Sequence, residues 1–366
     1  MTAIDRLFEL GTSTWLDDLS RDRITSGNLE QIKAEKSIVG VTTNPAIFAN
    51  AMSKGNAYDE HIQQLKEGKA GVDEAVYAMS IKDVQDACDL FLDIYESTGG
   101  RDGRVSIEVD PRHADDEART VSHAAELWEM VARPNVMIKI PATDASLPAI
   151  TASLAAGISV NVTLIFSVER YKQVIDAYKE GIKQAAANGH DVSTIHSVAS
   201  FFVSRMDTEV DNRLDAISDE HADAAQELKG KAGVANARLA YQLFLDSFDD
   251  AAMAELPDGA NKQRPLWAST GVKNPAYPAD RYVTQLAGPD TVNTMPEPTI
   301  DAAIEGDNVS GDTLTGTAED AQKVFDRLEA VGIDIADVVR VLEKEGVDKF
   351  VDAWQELLDS MLENLK

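Results

Sequence analysis

The sequence predicts an α/β protein of the (β/α)8 TIM barrel class with additional helices, including a C-terminal helical segment. Eight short β-like segments occur along the chain, separated by segments in which apolar residues recur at helical spacing. Polar side chains lie near the carboxyl ends of several β-like segments, where barrel proteins carry their sites. The predicted strands are Ser13–Asp17, Gly40–Asn44, Arg104–Asp110, Val136–Thr143, Ser159–Phe166, His196–Val203, Pro265–Thr270 and Thr291–Met295.

Helical patterns fill the connections between these strands. The connection between the second and third strands, residues 45–103, is long, and we expect it to carry two helices. After the eighth strand the chain is strongly helical, so we expect one barrel domain over residues 1–366 with C-terminal helices over 318–366 packed on it. The clearest helical series are Ile81, Val84, Cys88, Phe91 and Tyr95, and then Val168, Tyr171, Val174, Ile175, Tyr178 and Ile182.

Composition and charge limit the classes of function. The chain has 34 basic and 63 acidic residues, a formal net charge of −29, so we expect no nucleic acid and no membrane among its partners. No window approaches the ~18 apolar residues of a membrane span. Cys88 is the one cysteine, which excludes an intrachain disulfide and favours a cytoplasmic location. A monomer and a homodimer are both compatible with the sequence.

The predicted fourth strand carries a lysine in the middle of an apolar run. Val136, Ile138 and Ile140 share one face of this strand, and Lys139 lies on the other. Because the more apolar face should pack beneath the helices, we expect Lys139 to point into the barrel near its mouth. An ammonium group there is costly unless it is paired, neutralised or used in chemistry.

The same alternation brings other polar side chains to the barrel mouth. In the fifth strand, Leu164 and Phe166 are expected to face outward with Val160 and Val162, while Thr163 faces inward. An inert barrel core would be filled mainly by branched aliphatic residues, so an inward polar set indicates chemistry. That set consists of Asp17, Asn44, Glu108, Lys139, Asn161, Thr163, Ser200 and Ser269, with Phe202 on the same face as Ser200.

A lysine and two carboxylates suit carbonyl chemistry. A free lysine with a pKa of ~10.4 is almost wholly protonated at neutral pH, and burial favours the neutral amine, which can attack a carbonyl to form a Schiff base. Glu108 and Asp17 could divide the proton transfers that such a reaction needs. Asn44 and Asn161 suit the hydroxyls of a polyol, or they bond the backbone. The alternative for Lys139 is a structural ion pair with Glu108 or Asp17.

Two cations follow predicted strands and indicate an anionic substrate. Arg205 follows the sixth strand and Lys273 the seventh, so both would lie at the mouth and supply local positive charge for a phosphate. Either residue could instead be solvated surface. We predict no metal and no cofactor, since no histidine pair has the i, i+4 spacing of a ligand pair and no glycine-rich nucleotide loop is present.

Six blocks of sequence together resemble the transaldolase family, in order and over nearly the whole chain. The length and the last block resemble the longer bacterial type. The resemblance implies a class I aldolase barrel of the pentose phosphate pathway that moves a dihydroxyacetone unit between sedoheptulose 7-phosphate or fructose 6-phosphate and an aldose phosphate. The blocks are GVTTNPAIF (40–48), VSIEVDPR (105–112), VMIKIPAT (136–143), VNVTLIFS (160–167), SFFVSR (200–205) and LWASTGVKNP (266–275).

The resemblance also implies a role for each matching residue. Lys139 would form the Schiff base, Glu108 would act through a water held with the help of Thr163, and Asp17 would take the C4 hydroxyl proton. The remaining implied contacts are from Asn44 and Asn161 to the dihydroxyacetone hydroxyls, and from Ser200, Arg205 and Ser269 to the phosphate.

The chain departs from the family pattern at one position, and at another position two adjacent residues could fill the same role. Short transaldolases carry a phosphate-binding Arg two residues after the strand 7 serine, where this chain has Gly271, and Lys273 is the substitute that we predict. Asp18 is adjacent to Asp17, and both the alternation and the family favour Asp17.

Three other functions remain to be weighed against transaldolase. A fructose 6-phosphate aldolase would release free dihydroxyacetone, but that subgroup has Tyr where Phe202 stands. A catalytically inactive sensor of sugar phosphates could tolerate loss of the lysine and carboxylates, yet all three are present. A metal-dependent class II aldolase is disfavoured by the spacing of the histidines.

Overall fold

Eight parallel strands close into a barrel in the computed structural model, which describes residues 1–218 and 220–366. Each strand pairs with the next along the chain, and the last pairs with the first, as the sequence predicts for a (β/α)8 barrel. The strands are β1 (Thr12–Leu16), β2 (Gly40–Val41), β3 (Arg104–Glu108), β4 (Val136–Pro141), β5 (Val160–Ile165), β6 (Ser197–Phe202), β7 (Arg264–Ala268) and β8 (Thr291–Met295).

The described residues form α-helices that surround the barrel and extend beyond it. Two short 3-10 helices, Pro111–His113 and Val192–Thr194, lie in the connections. The α-helices are α1 (Ala3–Glu9), α2 (Arg21–Thr25), α3 (Asn28–Glu35), α4 (Pro45–Met52), α5 (Asp59–Glu67), α6 (Val72–Leu90), α7 (Leu92–Ser97), α8 (Glu117–Val131), α9 (Ser146–Ala155), α10 (Val168–Ala187), α11 (Ser204–Asp215), α12 (Ala222–Leu228), α13 (Ala232–Ser247), α14 (Asp250–Ala254), α15 (Arg281–Thr284), α16 (Glu297–Gly306), α17 (Ala318–Ala330) and α18 (Ile335–Asn364).

All eight predicted strands are confirmed, but several end earlier than predicted. β2 ends at Val41 because Asn44, its predicted last residue, caps α4 by accepting a hydrogen bond from the Ile47 amide at 2.9 Å. β3 ends at Glu108 because Asp110 caps the following 3-10 helix. A side chain that caps a helix takes its backbone out of the strand, so the polar residues at these junctions shorten the strands.

The long connection between β2 and β3 contains four helices, α4 to α7, and the expectation of two was wrong. The chain turns between α4 and α5 at Gly55, which has a positive φ of 65° that favours glycine. A second break precedes α6 at Gly71, and a third divides α6 from α7 at Phe91. The apolar series of this region therefore belongs to two successive helices.

Alternation along β3 and β4 follows the prediction. On β4, Val136, Ile138 and Ile140 pack in the core beneath the helices, while Met137 lies in the separate cluster that includes Trp15. The register pairs Glu108 with Lys139 and Lys139 with Asn161 across neighbouring strands. These three polar residues therefore lie at one level of the barrel.

β5 departs from this alternation, and the outward orientation expected for Leu164 and Phe166 was wrong. The pairing of β5 with β6 shifts register between Val162 and Ile165, and Leu164 has a φ of 61°. Ile165 consequently takes the place in the outer core, and Leu164 lines a cavity with Lys139. Phe166 packs on Phe202 with the ring centres 5.1 Å apart.

The amino-terminal end of the barrel is filled by a buried polar network. Asp102 pairs with Arg264 at 3.1 Å and accepts hydrogen bonds from Ser13 and from the Trp15 indole. A Cβ at Gly40 would lie 2.7 Å from the Trp15 ring, so this position needs glycine. Hydrogen bonds to both carboxylate oxygens offset the cost of burying these charges.

The carboxyl-terminal helices pack against other parts of the fold. α17 contacts α13, and α18 contacts α4, α6, α11 and β5. Gly346 permits the close approach of α18, because a Cβ there would lie 2.9 Å from the ring of Phe166. Among the described residues, no helix has the length and apolar character required to cross a membrane.

Candidate active site

Lys139 lies in the carboxyl-terminal half of β4, and its side chain reaches the barrel mouth. Its Nζ atom donates a hydrogen bond to the carbonyl oxygen of Thr43 at 2.7 Å and lies 2.5 Å from Oε1 of Glu108. The residue is 5% exposed. The structural ion pair considered above is therefore present, and the amine is also on the wall of two cavities.

Glu108 and Thr163 border a small cavity beside the amine. Oε2 of Glu108 and Oγ1 of Thr163 are buried and have no hydrogen-bond partner among the described residues. The cavity is about 10 Å³, the scale of one water molecule, and its other walls are mainly apolar. Burial raises the pKa of Glu108, nearby Asp17 raises it further, and Lys139 opposes both effects. A carboxyl with a raised pKa holds a proton more readily than a free one, which suits a group that passes protons to and from a substrate.

Asp17 follows β1 and lines the larger cavity with Lys139. Its Oδ1 accepts a hydrogen bond from Thr42 at 2.7 Å. Burial raises the pKa of Asp17, while the charge of Lys139 and the Thr42 hydrogen bond lower it in part. Asp18 points away and pairs with Arg23 at 2.7 Å. The side chain that faces the cavity is therefore that of Asp17.

Nine of the eleven predicted site residues line this larger cavity, which has a volume of about 180 Å³. Glu108 lines the small cavity instead, and Asn161 lines neither. The nine are Asp17, Asn44, Lys139, Thr163, Ser200, Phe202, Arg205, Ser269 and Lys273.

The two asparagines occupy different positions. Asn44 uses its side-chain oxygen to cap α4, which leaves its amide NH2 group for the cavity. Asn161 is fully buried inside the barrel, where its amide nitrogen donates to Ser106 at 3.1 Å and its oxygen accepts from Ser200 at 2.7 Å. Asn161 thus lies beneath the cavity and contacts Ser200, which lines it.

The other end of the cavity carries positive charge. In the described part of the chain, no carboxylate lies within salt-bridge distance of Arg205, although the charge of Glu345 acts on it from further away, and its buried Nη1 has no hydrogen-bond partner. The guanidinium carbon lies 5.1 Å from the centre of the Phe202 ring, and burial lowers the pKa of Arg205. Lys273 lines the same cavity from the loop after β7. A partly buried cation with no carboxylate within salt-bridge distance, in a chain of net charge −29, is suited to an anionic group such as a phosphate.

Ser269, directly after β7, has a strained backbone at the end of the cavity that carries Arg205 and Lys273. Its φ is 54°, in the left-handed region that disfavours residues with a Cβ. The hydroxyl is hydrogen-bonded to Ser204 at 2.8 Å, at the start of α11. Ser269 thus lines the cavity wall and is hydrogen-bonded to the helix that carries Arg205.

Alternation along the strands did not identify the residues that contact the end of β3 from the surrounding helices. The hydroxyl of Tyr77 donates to the Glu108 carbonyl at 3.3 Å, and Nδ1 of His123 accepts from the Asp110 amide at 3.0 Å. The Tyr77 ring packs on His123 and Trp354, with centres 4.7 and 4.9 Å apart. These residues come from three helices, and no local spacing connects them to β3.

We expect Asp17→Asn to raise the midpoint of thermal unfolding at about pH 8. Because the folded-state pKa of Asp17 is raised, ionising it costs the folded state free energy as the pH rises through that pKa, and an amide avoids this cost. Below the unfolded pKa of ~3.9 both states are protonated, so the difference from wild type should vanish. Calorimetry across this pH range measures it. Asp18→Asn, which loses only the Arg23 pair, is the matched control, and a less stable Asp17→Asn at high pH would contradict the prediction.

Comparison with known proteins gives a consistent assignment over nearly the whole chain. A family model described as Transaldolase/Fructose-6-phosphate aldolase matches residues 14–361, a span that includes all eleven candidate residues. The transaldolase of Mycolicibacterium paratuberculosis is 57% identical over 357 residues, which are 97% of this chain and 95% of that protein. The transaldolase of Mycolicibacterium smegmatis is 57% identical over 351 residues, 96% and 94% of the two chains. The transaldolase of Mycobacterium ulcerans is 58% identical over 352 residues, also 96% and 94%.

Proposed function

The chain belongs to the transaldolase and fructose-6-phosphate aldolase family, and from this premise we propose that it transfers a dihydroxyacetone unit through a Schiff base on Lys139. It is a transferase, a transaldolase of the pentose phosphate pathway. The exchange links sedoheptulose 7-phosphate and glyceraldehyde 3-phosphate with erythrose 4-phosphate and fructose 6-phosphate, without a cofactor. The observation that carries the mechanism is the position of the Lys139 amine, 2.5 Å from Glu108 and on the wall of the cavity that Asp17 lines.

The reaction begins with attack of the neutral amine of Lys139 on C2 of the ketose phosphate. Glu108 is in contact with that amine and accepts its proton. Attack forms the C–N bond and moves the carbonyl electrons to oxygen, and transfer of a proton from the nitrogen to that oxygen gives the carbinolamine. A water in the small cavity between Glu108 and Thr163 then relays a proton to the leaving hydroxyl, and loss of water gives the iminium.

Asp17 carries the carbon–carbon step. Its carboxylate removes the proton from the C4 hydroxyl, the C3–C4 bond breaks, and the electron pair of that bond flows into the iminium to give an enamine. C4 leaves as the aldehyde of an aldose phosphate. The enamine carbon then attacks an acceptor aldehyde, Asp17 returns its proton to the new alkoxide, and hydrolysis of the new iminium releases the product. The raised pKa of Asp17 suits a group that both takes and returns a proton.

The remaining cavity residues hold the substrate. Arg205 and Lys273 bind the phosphate with help from Ser269, and Lys273 takes the place of the arginine that short family members carry at the position of Gly271. Asn44 donates to a hydroxyl of the dihydroxyacetone unit. Contact between Asn161 and the substrate stays a prediction, because its amide is bonded to Ser106 and Ser200.

Release of dihydroxyacetone, the reaction of a fructose 6-phosphate aldolase, is the second candidate function because the same family contains it. Phe202 favours transfer over release. Its phenyl ring lines the cavity and packs on Arg205, and it has no hydroxyl to position a water for protonating the enamine. A tyrosine at this position could do so.

The location and the domain organisation of the protein are also proposals, and its oligomeric state is open to measurement. We propose a cytoplasmic location, supported by a single cysteine that is buried and unpaired. We also propose one barrel domain with helices 318–366 packed on it, supported by the contacts of α18 with β5, α4 and α6. The choice between monomer and homodimer is settled by sedimentation of the purified chain.

Transfer is tested by supplying fructose 6-phosphate and erythrose 4-phosphate and measuring both products. We expect stoichiometric sedoheptulose 7-phosphate and glyceraldehyde 3-phosphate, and little dihydroxyacetone when the acceptor is omitted. Rapid dihydroxyacetone release that exceeds the amount of enzyme, without acceptor, would favour the aldolase. Absence of any turnover would contradict both functions.

We expect Arg205→Ala to reduce kcat/KM for fructose 6-phosphate by about 10- to 100-fold, because a charge-assisted phosphate contact is lost. The loss should lie mainly in KM and should be much smaller with unphosphorylated fructose as donor. Arg213→Ala on the same helix is the matched control, since Arg213 pairs with Glu209 and Asp337 outside the cavity. Equal losses with both donors would mean that Arg205 does not bind the phosphate.

A further inference from the structure

α18 brings an aromatic side chain to the barrel mouth from the opposite end of the sequence. Phe350, on this helix, lines both the small cavity beside Glu108 and the larger cavity with Arg205. The residues common to both cavities are Lys139, Thr163 and Phe350. Phe350 therefore stands at the junction of the two, beside the amine proposed to form the Schiff base.

The helix is held at this position by close packing. Gly346, one turn before Phe350, lies against Phe166, where a Cβ would come within 2.9 Å of the ring. Further along the helix, Trp354 packs on Tyr77, whose hydroxyl bonds the Glu108 carbonyl. Val347 lines the small cavity next to Phe350. Val347 and Phe350, the two apolar residues of α18 that line the small cavity with Lys139, thus lie between two packed positions of the helix, Gly346 and Trp354.

The position of Phe350 affects whether the enamine on Lys139 reacts with an acceptor or loses dihydroxyacetone. This inference rests on the proposed function, in which that enamine is the intermediate. To lose dihydroxyacetone without an acceptor, the enamine must gain a proton at C3, water must add at C2, and the C–N bond must break to restore the amine. Both water and a proton source have to reach the adduct for this to happen. An apolar ring at the junction of the cavities limits the access of solvent to it.

We propose that Phe350 is a specificity-determining residue that shields the dihydroxyacetone adduct on Lys139 from solvent, so that the adduct persists until an aldose phosphate acceptor binds. Phe202 and Leu164 contribute apolar surface to the same cavities from the barrel itself. The shielding is therefore divided between barrel strands and α18.

The experiment measures the ratio of dihydroxyacetone release to transfer in Phe350→Ala and Phe350→Leu. With fructose 6-phosphate alone, we expect Phe350→Ala to release dihydroxyacetone about tenfold faster relative to its transfer rate than wild type does, with Phe350→Leu in between. Lys349→Ala is the matched control, because Lys349 is exposed on the same helix and pairs with Glu345. Its ratio should equal that of wild type.

The outcomes separate this inference from the proposed function. A release-to-transfer ratio in Phe350→Ala within twofold of wild type would overturn the shielding role, even if both rates fall together. If Phe350→Ala does not fold, the ratio in Phe350→Leu decides in the same way. Borohydride trapping on wild type is run in parallel. A missing adduct there would overturn the proposed function itself, whereas a trapped adduct with an unchanged ratio would overturn only the role of Phe350.

Discussion

Lys139→Arg loses transfer activity by a factor on the order of 10⁴ or more, although it keeps a positive charge beside Glu108. The expectation follows from the chemistry of the two side chains. An arginine can pair with Glu108 as Lys139 does at 2.5 Å, but its guanidinium stays protonated and cannot act as the nucleophile. Lys139→Met, which removes the charge and keeps an unbranched side chain, should be equally inactive.

The measurement combines kinetics with covalent trapping. Wild type incubated with fructose 6-phosphate and borohydride should carry a three-carbon adduct, and peptide mapping should place it on Lys139. Both variants should show no adduct, and so should a sample without substrate. Lys172→Ala, which changes an exposed lysine paired with Asp176, is the control and should keep activity and adduct. An active Lys139→Arg would mean that the ion pair alone is the function of this lysine.

The orientation of Lys139 was predictable from the sequence because β3 and β4 are regular strands. Where a strand keeps its period of two, the apolar face identifies the outside of the barrel and the polar residues identify the inside. The same reasoning failed at Leu164, since a bulge in β5 reverses the alternation there. Nothing in the local sequence marks that bulge, because Leu164 is as apolar as the Ile165 that replaces it in the outer core.

Alternation predicts the face of a residue but not how far its side chain reaches. Lys139 and Asn161 are register partners at one level of the barrel, yet only Lys139 lines a cavity. The lysine has four methylene groups and reaches the mouth, whereas the short asparagine stays among Ser106 and Ser200. Depth is set by side-chain length and by the tilt of the strands, which the sequence does not display.

Residues contributed by distant helices were the least predictable part of the site. Tyr77 belongs to α6, His123 to α8 and Phe350 to α18, and none of them lies on a barrel strand. Their relation to Glu108 and Lys139 arises only when the helices pack around the barrel. The family resemblance supplied roles for residues in its sequence blocks, and these three lie outside all of the blocks.

Asp17→Asn is expected to lower the transfer rate by about 10²- to 10⁴-fold while leaving Schiff-base formation largely intact. The amide can still accept the hydrogen bond from Thr42, so the side chain should keep its position, but it cannot take the proton from the C4 hydroxyl. Attack by Lys139 and loss of water depend on Glu108. The substitution removes one charge that raises the pKa of Glu108, but it leaves the Glu108 carboxyl and its contact with Lys139 in place. The reaction should therefore stop between the iminium and the broken C3–C4 bond.

Because Glu108 and Asp17 are proposed to act at different steps, the species that borohydride traps identifies the step that a substitution blocks. Borohydride with fructose 6-phosphate should leave on Lys139 of Asp17→Asn an adduct that retains all six carbons and the phosphate, where wild type keeps only three carbons. Asp18→Asn should behave as wild type, because Asp18 pairs with Arg23 outside the cavity. A three-carbon adduct formed at the wild-type rate would show that another group removes the C4 proton. A variant with no adduct at all would assign Asp17 to Schiff-base formation, and the separate roles of the two carboxylates would have to be given up.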